Sequence, residues 1–172
     1  MAFRTLDDLG DLTGKCALVR VDLNVPMAEG RVTDLTRMHA LAPTVNELSA
    51  KGAKVLLLAH FGRPKGQKHS EMSVSMTLDA LQEVLGREIM FVPEIYGDVV
   101  AQSLSILSNG DVALLENSRF WAGEEKNDPE LAKAIAANGD LYVNDAFSAA
   151  HRAHVTTEGL AHLLPAYAGR SM

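Results

Sequence analysis

Arginine and histidine recur in short polar segments that directly follow runs of apolar residues. The clearest example comes after residues 55–58, where His60, Gly62, Arg63 and Pro64 end an uninterrupted apolar run. Pro64 has no N–H to donate and disfavours a helical conformation at Arg63, so the chain must turn there. An apolar strand that carries a histidine and an arginine at its carboxyl end is typical of ligand sites in open α/β sheets.

Three other apolar runs end in similar polar segments. The run at residues 15–21 is followed by Asp22 and Asn24, and the run at residues 112–115 is followed by Glu116, Asn117 and Arg119. The run at residues 141–143 is followed by Asn144, Asp145, His151 and Arg152. The carboxyl ends of parallel strands share one edge of a sheet, so we expect these side chains to gather there. Arg37, in the first turn of a predicted helix, could join them because helices that follow strands begin near that edge.

Such an edge is suited to a small molecule that carries several negative charges. The arginine guanidinium is a planar set of donors that matches phosphate and carboxylate groups through paired hydrogen bonds. Each charge-assisted bond of this kind contributes about 1.5–3 kcal/mol. Asp22 would repel a phosphate, but it can accept a hydrogen bond from a hydroxyl group, to which Asn24 can also bond. The residues therefore predict recognition of a phosphorylated hydroxy acid or sugar.

Each of these residues also has a purely structural interpretation. Asp22 could cap a helix or a turn, and Arg119 could form a solvated ion pair with Glu116. For Asn144 and Asp145 an Asx turn is slightly favoured over contact with a ligand. These alternatives stay open at the level of the sequence.

Other residues with chemical potential favour structural roles more strongly. His151 and His154 have the spacing of paired metal ligands on a helix, but no acidic third ligand accompanies them. Phe120 and Trp121 are interpreted as packing residues rather than a stacking platform. Cys16 is the only cysteine and lies in an apolar run, which indicates a small buried hydrophobe and excludes a disulfide within the chain.

Composition restricts the class of protein. The 172 residues are 47% hydrophobic and 22% charged, which suits one domain with a buried core, two small domains being the alternative. A net charge of −6 argues against a broad surface for nucleic acid or anionic membranes. Residues 1–14 lack the apolar core of a signal peptide, and no stretch approaches a membrane span. We therefore expect a cytoplasmic protein.

The order of predicted elements favours an α/β class. Apolar runs predict strands at residues 15–21, 55–58, 89–92, 112–115 and 141–143. Apolar periodicity predicts five helices, at residues 34–52, 74–86, 100–110, 128–139 and 158–163. Asp34 is the predicted N-cap of the first helix, and Gly52 ends it. The fourth helix begins at Asp128, and its apolar positions are Leu131, Ala134 and Ile135. Five alternations of strand and helix predict a Rossmann-like three-layer fold with a mainly parallel sheet flanked by helices.

Several nucleotide and hydrolase motifs are missing from the sequence. There is no Gly-x-x-x-x-Gly-Lys-Ser/Thr loop, no Gly-x-Gly-x-x-Gly after the first strand and no Gly-x-Ser-x-Gly segment. A nicotinamide-dependent dehydrogenase would need the second of these. The chain therefore carries a binding edge without an obvious nucleophile or base.

Five motifs together resemble those of the phosphoglycerate kinase family. They occur in the family's order at residues 19–26, 36–37, 60–64, 115–120 and 144–154. Ala59 and Phe61 differ from the Ser and Leu more often seen beside the histidine, and Ser148, Ala149 and Ala150 replace the usual Gly-Thr-Ala before His151.

The resemblance implies that residues 1–172 form the N-terminal domain of a two-domain, monomeric glycolytic enzyme. That domain of the family binds 3-phosphoglycerate or 1,3-bisphosphoglycerate. The C-terminal domain, which binds Mg-ADP or Mg-ATP, has no counterpart in this sequence, so we expect no cofactor on this chain and no activity from it alone. Neither nucleic acid nor membrane is an expected partner.

The resemblance also assigns residue roles. Asp22 and Asn24 would hold the hydroxyl and carboxylate end of the substrate, and Arg37 would be catalytic, stabilising the transferred phosphoryl group. The expected substrate-binding residues are Asp22, Leu23, Asn24, Arg37, His60, Phe61, Gly62, Arg63, Arg119 and Arg152. The alternative function is a stand-alone phosphate- or anion-binding regulatory module that kept the fold without the reaction.

Overall fold

The apolar runs form a six-stranded parallel sheet in the computed structural model, which describes residues 4–172. In chain order the strands are β1 (Cys16–Arg20), β2 (Met27–Ala28), β3 (Arg31–Val32), β4 (Lys54–Leu58), β5 (Met90–Val92), β6 (Val112–Leu115), β7 (Leu141–Asn144) and β8 (Ala166–Ala168). Strands β2 and β3 pair only with each other, as an antiparallel hairpin. The other six lie in the order β5-β6-β4-β1-β7-β8, and each neighbouring pair is parallel.

Helices cover both faces of this sheet. They are α1 (Thr36–Ala50), α2 (Leu78–Leu85), α3 (Asp98–Ile106), α4 (Pro129–Ala136) and α5 (Leu160–Leu163). Helices α1 and α2 bury Leu41 and Leu81 in one apolar layer, whereas α3, α4 and α5 bury Val100, Ile135 and Leu160 in the other. The predicted α/β class with three layers is confirmed.

The central strands explain why the sequence shows continuous apolar runs rather than alternation. Strand β1 is buried along its whole length, and its consecutive residues Leu18 and Val19 point into opposite apolar layers. Leu18 pairs in register with Leu56 of β4, and Val19 pairs with Leu57. A parallel strand between two helical layers is buried on both faces, so residues 16–19 of β1 are all hydrophobic and only its last residue, Arg20, is charged.

Two elements of the fold were not predicted from the sequence. Strand β8 adds a sixth parallel strand by pairing Tyr142 with Ala166 and Asn144 with Ala168. Its sequence, Ala-Tyr-Ala after a proline, is too short to stand out as an apolar run. The hairpin β2–β3 encloses a tight turn in which Glu29 and Gly30 have positive φ angles.

The ends of the helices agree with the predicted signals apart from small shifts. Leu35, not Asp34, occupies the N-cap position of α1, although the Asp34 carboxylate accepts a hydrogen bond from the Thr36 N–H at 2.9 Å. Asp128 caps α4 as predicted, by accepting from the Glu130 N–H.

Two further details of the helices differ from prediction. Helix α4 buries Ala132 rather than Ala134, which is only half-buried, because the stripe that faces the sheet includes the residue next to Leu131. The predicted second helix begins as a 3-10 turn, Val74–Thr77, before α2. Across residues 4–172, no helix has both the length and the apolar character needed to cross a membrane.

Candidate functional site

Four neighbouring strands deliver polar residues to the same edge of the sheet. Strands β6, β4, β1 and β7 are adjacent, and their carboxyl ends are followed within two residues by Glu116, His60, Asp22 and Asp145 respectively. Because all four strands run in the same direction, the sheet itself brings together segments that are far apart in sequence.

A small polar cleft of about 160 Å³ lies at this edge. It is lined by Asp22, Asn24, Arg37, His60, Ser148, Ala149 and Arg152. Five of these were expected site residues, and they come from four different segments of the chain. The cleft therefore gathers two arginines, a histidine and an aspartate around a space suited to a small charged molecule.

The Asp22 carboxylate organises one side of the cleft. Its Oδ1 atom accepts a hydrogen bond from Arg37 Nη1 at 3.1 Å, and its Oδ2 atom accepts from Ser148 Oγ at 2.6 Å. Arg37 Nη1 also donates to the Asn24 carbonyl oxygen at 2.8 Å. Ser148, one of the departures from the family pattern, therefore contributes directly to the position of the acidic group.

Asn24 connects two of the polar segments. Its Oδ1 atom accepts a hydrogen bond from the Gly62 N–H at 3.0 Å, which ties the loop after β1 to the loop after β4. Gly62 has a φ of +65°, and a Cβ atom there would lie 3.3 Å from the sulfur of Met72. Glycine suits this position because it adopts positive φ without strain.

Arg119 is the most unusual cation at this edge. It lies in the 3-10 turn Ser118–Phe120 and is only 4% exposed. Nη1 donates to the Gly62 carbonyl oxygen at 3.2 Å, whereas Nε and Nη2 are buried and bond to no group among residues 4–172. Burial lowers the pKa of this guanidinium. Buried donors without partners are costly, which distinguishes Arg119 from an arginine that serves packing alone.

Asn117 and Glu116 fix the backbone around Arg119. Asn117 Nδ2 donates to the carbonyl oxygens of Phe61 at 2.7 Å and Met72 at 2.8 Å. The Glu116 carboxylate accepts from Ser73 Oγ at 2.7 Å and from two backbone N–H groups. The alternative of a solvated Arg119–Glu116 ion pair is therefore wrong, because the carboxylate is buried and already bonded elsewhere.

His60 contacts a buried arginine, Arg20, that was not predicted from the sequence as a site residue. Arg20, at the end of β1, is 1% exposed, and its Nη2 lies 2.5 Å from His60 Nδ1. Burial, then the charges of Arg20, Arg119 and Arg152, lower the pKa of His60 to about 2. An arginine inside an otherwise apolar strand was the available signal, since charged residues are rarely buried without a partner.

Five of the ten expected substrate-binding residues do not line the cleft: Leu23, Phe61, Gly62, Arg63 and Arg119. The Leu23 side chain is fully buried in the apolar core, and Phe61 packs against that same core, so neither side chain faces the cleft. Any contact from these two residues would have to come from their backbone. The Arg63 side chain is exposed, does not line the cleft, and has no hydrogen-bond or ion-pair partner in the chain from residue 4 onward.

The segment after β7 has mainly structural contacts. Asn144 Oδ1 accepts from the Ala146 N–H at 3.0 Å, which confirms the predicted Asx turn. Asp145 is buried and accepts from Thr44 Oγ1 at 2.8 Å and from the Ser171 N–H at 3.0 Å. Burial raises the pKa of its carboxyl group. Asp145 thus ties the sheet edge to helix α1.

The residues expected to pack do so. Phe120 is 6% exposed, and Trp121 is half-buried with Lys68 Nζ 5.4 Å from its ring centroid. Cys16 is buried in the core, and burial raises the pKa of its thiol to about 12. A thiol with such a pKa is not a nucleophile near neutral pH.

A larger cavity of about 540 Å³ lies beside strands β7 and β8. Aromatic and small apolar side chains, such as Tyr142, Phe147 and Tyr167, dominate its walls, and Arg4 is its one charged lining residue. It lacks the concentration of cations that a multiply charged ligand requires, so the smaller cleft is the better candidate for such a ligand.

Comparisons with known proteins agree with the motifs. A family model described as Phosphoglycerate kinase matches residues 6–172. The chain is 66% identical over 172 residues to a phosphoglycerate kinase of Zymomonas mobilis and 61% identical over 171 residues to one of Sphingopyxis alaskensis. These alignments cover 100% and 99% of this chain, but only 43% of each relative.

Solved structures give the same picture. A phosphoglycerate kinase from Pyrococcus horikoshii matches with a TM-score of 0.87 and 33% identity, covering 99% of this chain and 43% of that one. One from Coxiella burnetii matches with the same TM-score and identity over 42% of its length. The chain thus spans less than half the length of the relatives that it matches.

Proposed function

Because the chain belongs to the phosphoglycerate kinase family, we propose that residues 1–172 are the substrate-binding domain of such an enzyme. The proposed ligands are 3-phosphoglycerate and 1,3-bisphosphoglycerate. The proposed reaction of the whole enzyme transfers a phosphoryl group from 1,3-bisphosphoglycerate to ADP, giving 3-phosphoglycerate and ATP in glycolysis. We further propose a cytoplasmic location and a monomeric whole enzyme.

The observation that carries this proposal is the cleft at the carboxyl edge of the sheet. Arg37, His60 and Arg152 line it together with Asp22 and Asn24. Cationic donors beside a carboxylate and an amide match a molecule with a phosphate at one end and a hydroxyl group near the other.

Arg119 supports the phosphate part of the proposal. Its Nε and Nη2 atoms are the pair of donors that phosphate accepts in a bidentate contact, and they are free of partners among residues 4–172. Both atoms are covered, so a phosphate would reach them only after the Arg119 side chain or its neighbours turn. We therefore expect binding to rearrange this side chain rather than leave it in place.

Arg37 is the proposed catalytic residue. Phosphoryl transfer depends mainly on positioning and on stabilising charge that develops in the transition state. Arg37 is suited to this role because Asp22 and the Asn24 carbonyl oxygen fix its Nη1 atom while its side chain remains about half exposed at the mouth of the cleft.

The nucleotide and its magnesium ion belong elsewhere in this proposal. Among residues 4–172 no group of three or more histidine, cysteine, aspartate or glutamate side chains is arranged to hold a metal ion. We propose that the Mg-nucleotide binds the second domain of the family, because the motifs of this chain resemble those of the substrate-binding domain. It follows that residues 1–172 should bind phosphoglycerate without turning it over.

Titration of 3-phosphoglycerate into the ¹⁵N-labelled chain tests the proposal. We expect amide signals of residues 22–24, 60–63, 119 and 152 to shift, and an Arg152→Gln variant to bind several-fold more weakly. Arg31→Gln, which changes an exposed arginine on β3 away from the cleft, is the matched control. No shift at these residues would refute the proposal. Equal affinity for inorganic phosphate would instead favour the anion-binding module.

A further inference from the structure

Arg20 is a fully buried cation to which the proposed ligand contacts assign no role. Three of its nitrogen atoms have partners: Nε donates to Thr156 Oγ1 at 3.0 Å, Nη1 donates to the Val21 carbonyl oxygen at 2.6 Å, and Nη2 lies 2.5 Å from His60 Nδ1. We propose that Arg20 is a positioning residue that fixes His60 as the neutral tautomer with its hydrogen on Nε2. Given the proposed function, this N–H would donate to the phosphate of the ligand.

The donor chemistry of arginine determines the tautomer. A guanidinium has five N–H donors and no acceptor, so the contact with His60 requires that Nδ1 accept the hydrogen bond. A hydrogen on Nδ1 would face the Arg20 hydrogen across 2.5 Å, which excludes both the other tautomer and the imidazolium form. The one remaining hydrogen of the ring must then be on Nε2. His60 lines the cleft, so this N–H is the group that it offers to a ligand.

The guanidinium cannot turn away from His60 without losing its other bonds. The group is planar, so bonds at Nε, Nη1 and Nη2 fix its orientation completely. Thr156 Oγ1 accepts from Arg20 Nε and donates to Glu124 Oε2 at 2.6 Å. Glu124 is 1% exposed and is bound a second time through Oε1 by the Thr156 N–H at 2.8 Å. This chain of bonds gives Arg20 a buried counter-charge through a hydroxyl group.

The charges around the imidazole act in the same direction. The charged and titratable groups that face it are Arg20, Arg119, Arg152 and His154, and burial together with these four lowers the pKa of His60. The carboxylate that lines the same cleft, Asp22, is bonded to Arg37 and Ser148. In the ligand-free chain His60 therefore offers a neutral N–H donor over the whole physiological pH range.

Nitrogen NMR of the wild-type chain tests the tautomer without any substitution. In two-bond ¹H–¹⁵N spectra of the ¹⁵N-histidine-labelled chain, we expect His60 Nδ1 to give the signal of an unprotonated nitrogen and Nε2 that of a protonated one. Neither signal should move between pH 8 and pH 5. The His60→Gln variant identifies the signals by their loss. A hydrogen on Nδ1, or an imidazolium that forms near pH 6.5, would overturn the proposal.

Replacing Arg20 tests whether it is the cause. In Arg20→Met, which keeps length but removes every donor, we expect a mixture of both tautomers and proton uptake by His60 within the pH range measured. Affinity for 3-phosphoglycerate should fall about tenfold. Arg31→Gln, an equal loss of charge at an exposed site, should change neither. A folded Arg20→Met chain with an unchanged His60 spectrum would contradict the proposal, and if this variant does not fold, the wild-type spectrum decides.

The histidine spectrum and the affinity measurement test the role of Arg20 and the proposed function separately. The tautomer is read from the spectrum with no ligand present, so it holds or fails on its own. If 3-phosphoglycerate does not bind at all while the Nε2–H tautomer is seen, the proposed function fails and the role of Arg20 in fixing His60 stands.

Discussion

Arg170 and Arg119 illustrate two opposite uses of one side chain. Arg170, which follows β8, donates to Asp7 at 2.8 Å and to Glu47 at 3.0–3.1 Å, and these bonds raise its pKa. Arg119, at the carboxyl edge of the sheet, is far more buried, yet two of its nitrogen atoms have no partner within residues 4–172. Burial lowers its pKa.

The difference indicates where the fold uses charge for structure and where it keeps charge for a ligand. The Arg170 side chain joins helix α1 to the turn Leu6–Asp8, because its Nε donates to Glu47 and its Nη2 donates to both Asp7 and Glu47. At the cleft the balance reverses, because Asp22 is the only carboxylate among its lining residues, beside two arginines and a histidine. The unmet donors of Arg119, which does not line this cleft but follows β6 at the same edge of the sheet, favour binding of an anion over a role in stability.

Replacing Arg119 should give the largest effect on binding. Arg119→Met keeps the volume and removes two charge-assisted donors, so affinity for 3-phosphoglycerate should fall about 100-fold, as measured by calorimetry. The free energy of unfolding should stay the same or rise, because buried unpaired donors are removed. Unchanged affinity together with lower stability would show that Arg119 is structural, which would end the contrast with Arg170.

Replacing Arg37 should weaken binding less than replacing Arg119, which compares an arginine that lines the cleft with a buried one. Its Nη1 atom already bonds Asp22 and the Asn24 carbonyl oxygen, so Arg37→Gln should weaken 3-phosphoglycerate binding about tenfold. Release of the Asp22 carboxylate accounts for part of this loss. A larger effect here than at Arg119 would mean that exposed arginines, rather than the buried one, dominate the contact.

The pH dependence of stability tests the electrostatics of the same edge. His60 has a pKa of about 2 in the folded chain and about 6.5 when unfolded, so between these values the unfolded chain binds one more proton. Stability is therefore highest above pH 6.5 and is lost as the pH falls. From pH 7 to pH 5.5 the contribution of His60 should be about 1 kcal/mol in urea unfolding. The His60→Gln variant should lack that part of the slope, and an identical slope would contradict the buried neutral imidazole.

The smallest effect is expected from replacing Arg170, whose ion pairs serve the structure. Arg170→Gln removes exposed ion pairs with Asp7 and Glu47, so the melting temperature should fall slightly. Affinity for 3-phosphoglycerate should not change, because Arg170 does not line the cleft. Weaker binding in this variant would show that the two regions are coupled, most directly through Asp145, which accepts from the Ser171 N–H beside it.

The sequence predicted the parts of this arrangement that depend on local pattern. Continuous apolar runs indicated buried parallel strands, and the polar segments after them identified the edge at which Asp22, His60 and Arg152 meet. Individual contacts could not be predicted, because Ser148 bonds Asp22 across 126 residues and Thr156 bonds Arg20 across 136. Such partners are set by tertiary packing, on which a single sequence carries no direct signal.

Tertiary packing also decides which of the expected site residues lie outside the cleft. Motif position alone could not separate Asp22 from Leu23, although the Leu23 side chain enters the core while Asp22 lines the cleft. Successive residues of an extended segment point in opposite directions, so neighbours in one motif divide between core and cleft. Arg63 illustrates the same limit, because the turn at Pro64 leaves its side chain exposed outside the cleft lining.

A crystal structure of the chain with bound 3-phosphoglycerate would show whether the unpaired donors of Arg119 receive the phosphate group. We predict the phosphate group within hydrogen-bond distance of Arg119 Nε and Nη2, with His60 Nε2 as a further donor and the hydroxyl group near Asp22. Arg119 should have turned from its present position. A phosphate bound elsewhere, with both Arg119 nitrogen atoms still unpaired and covered, would show that Arg119 is not a ligand-binding residue.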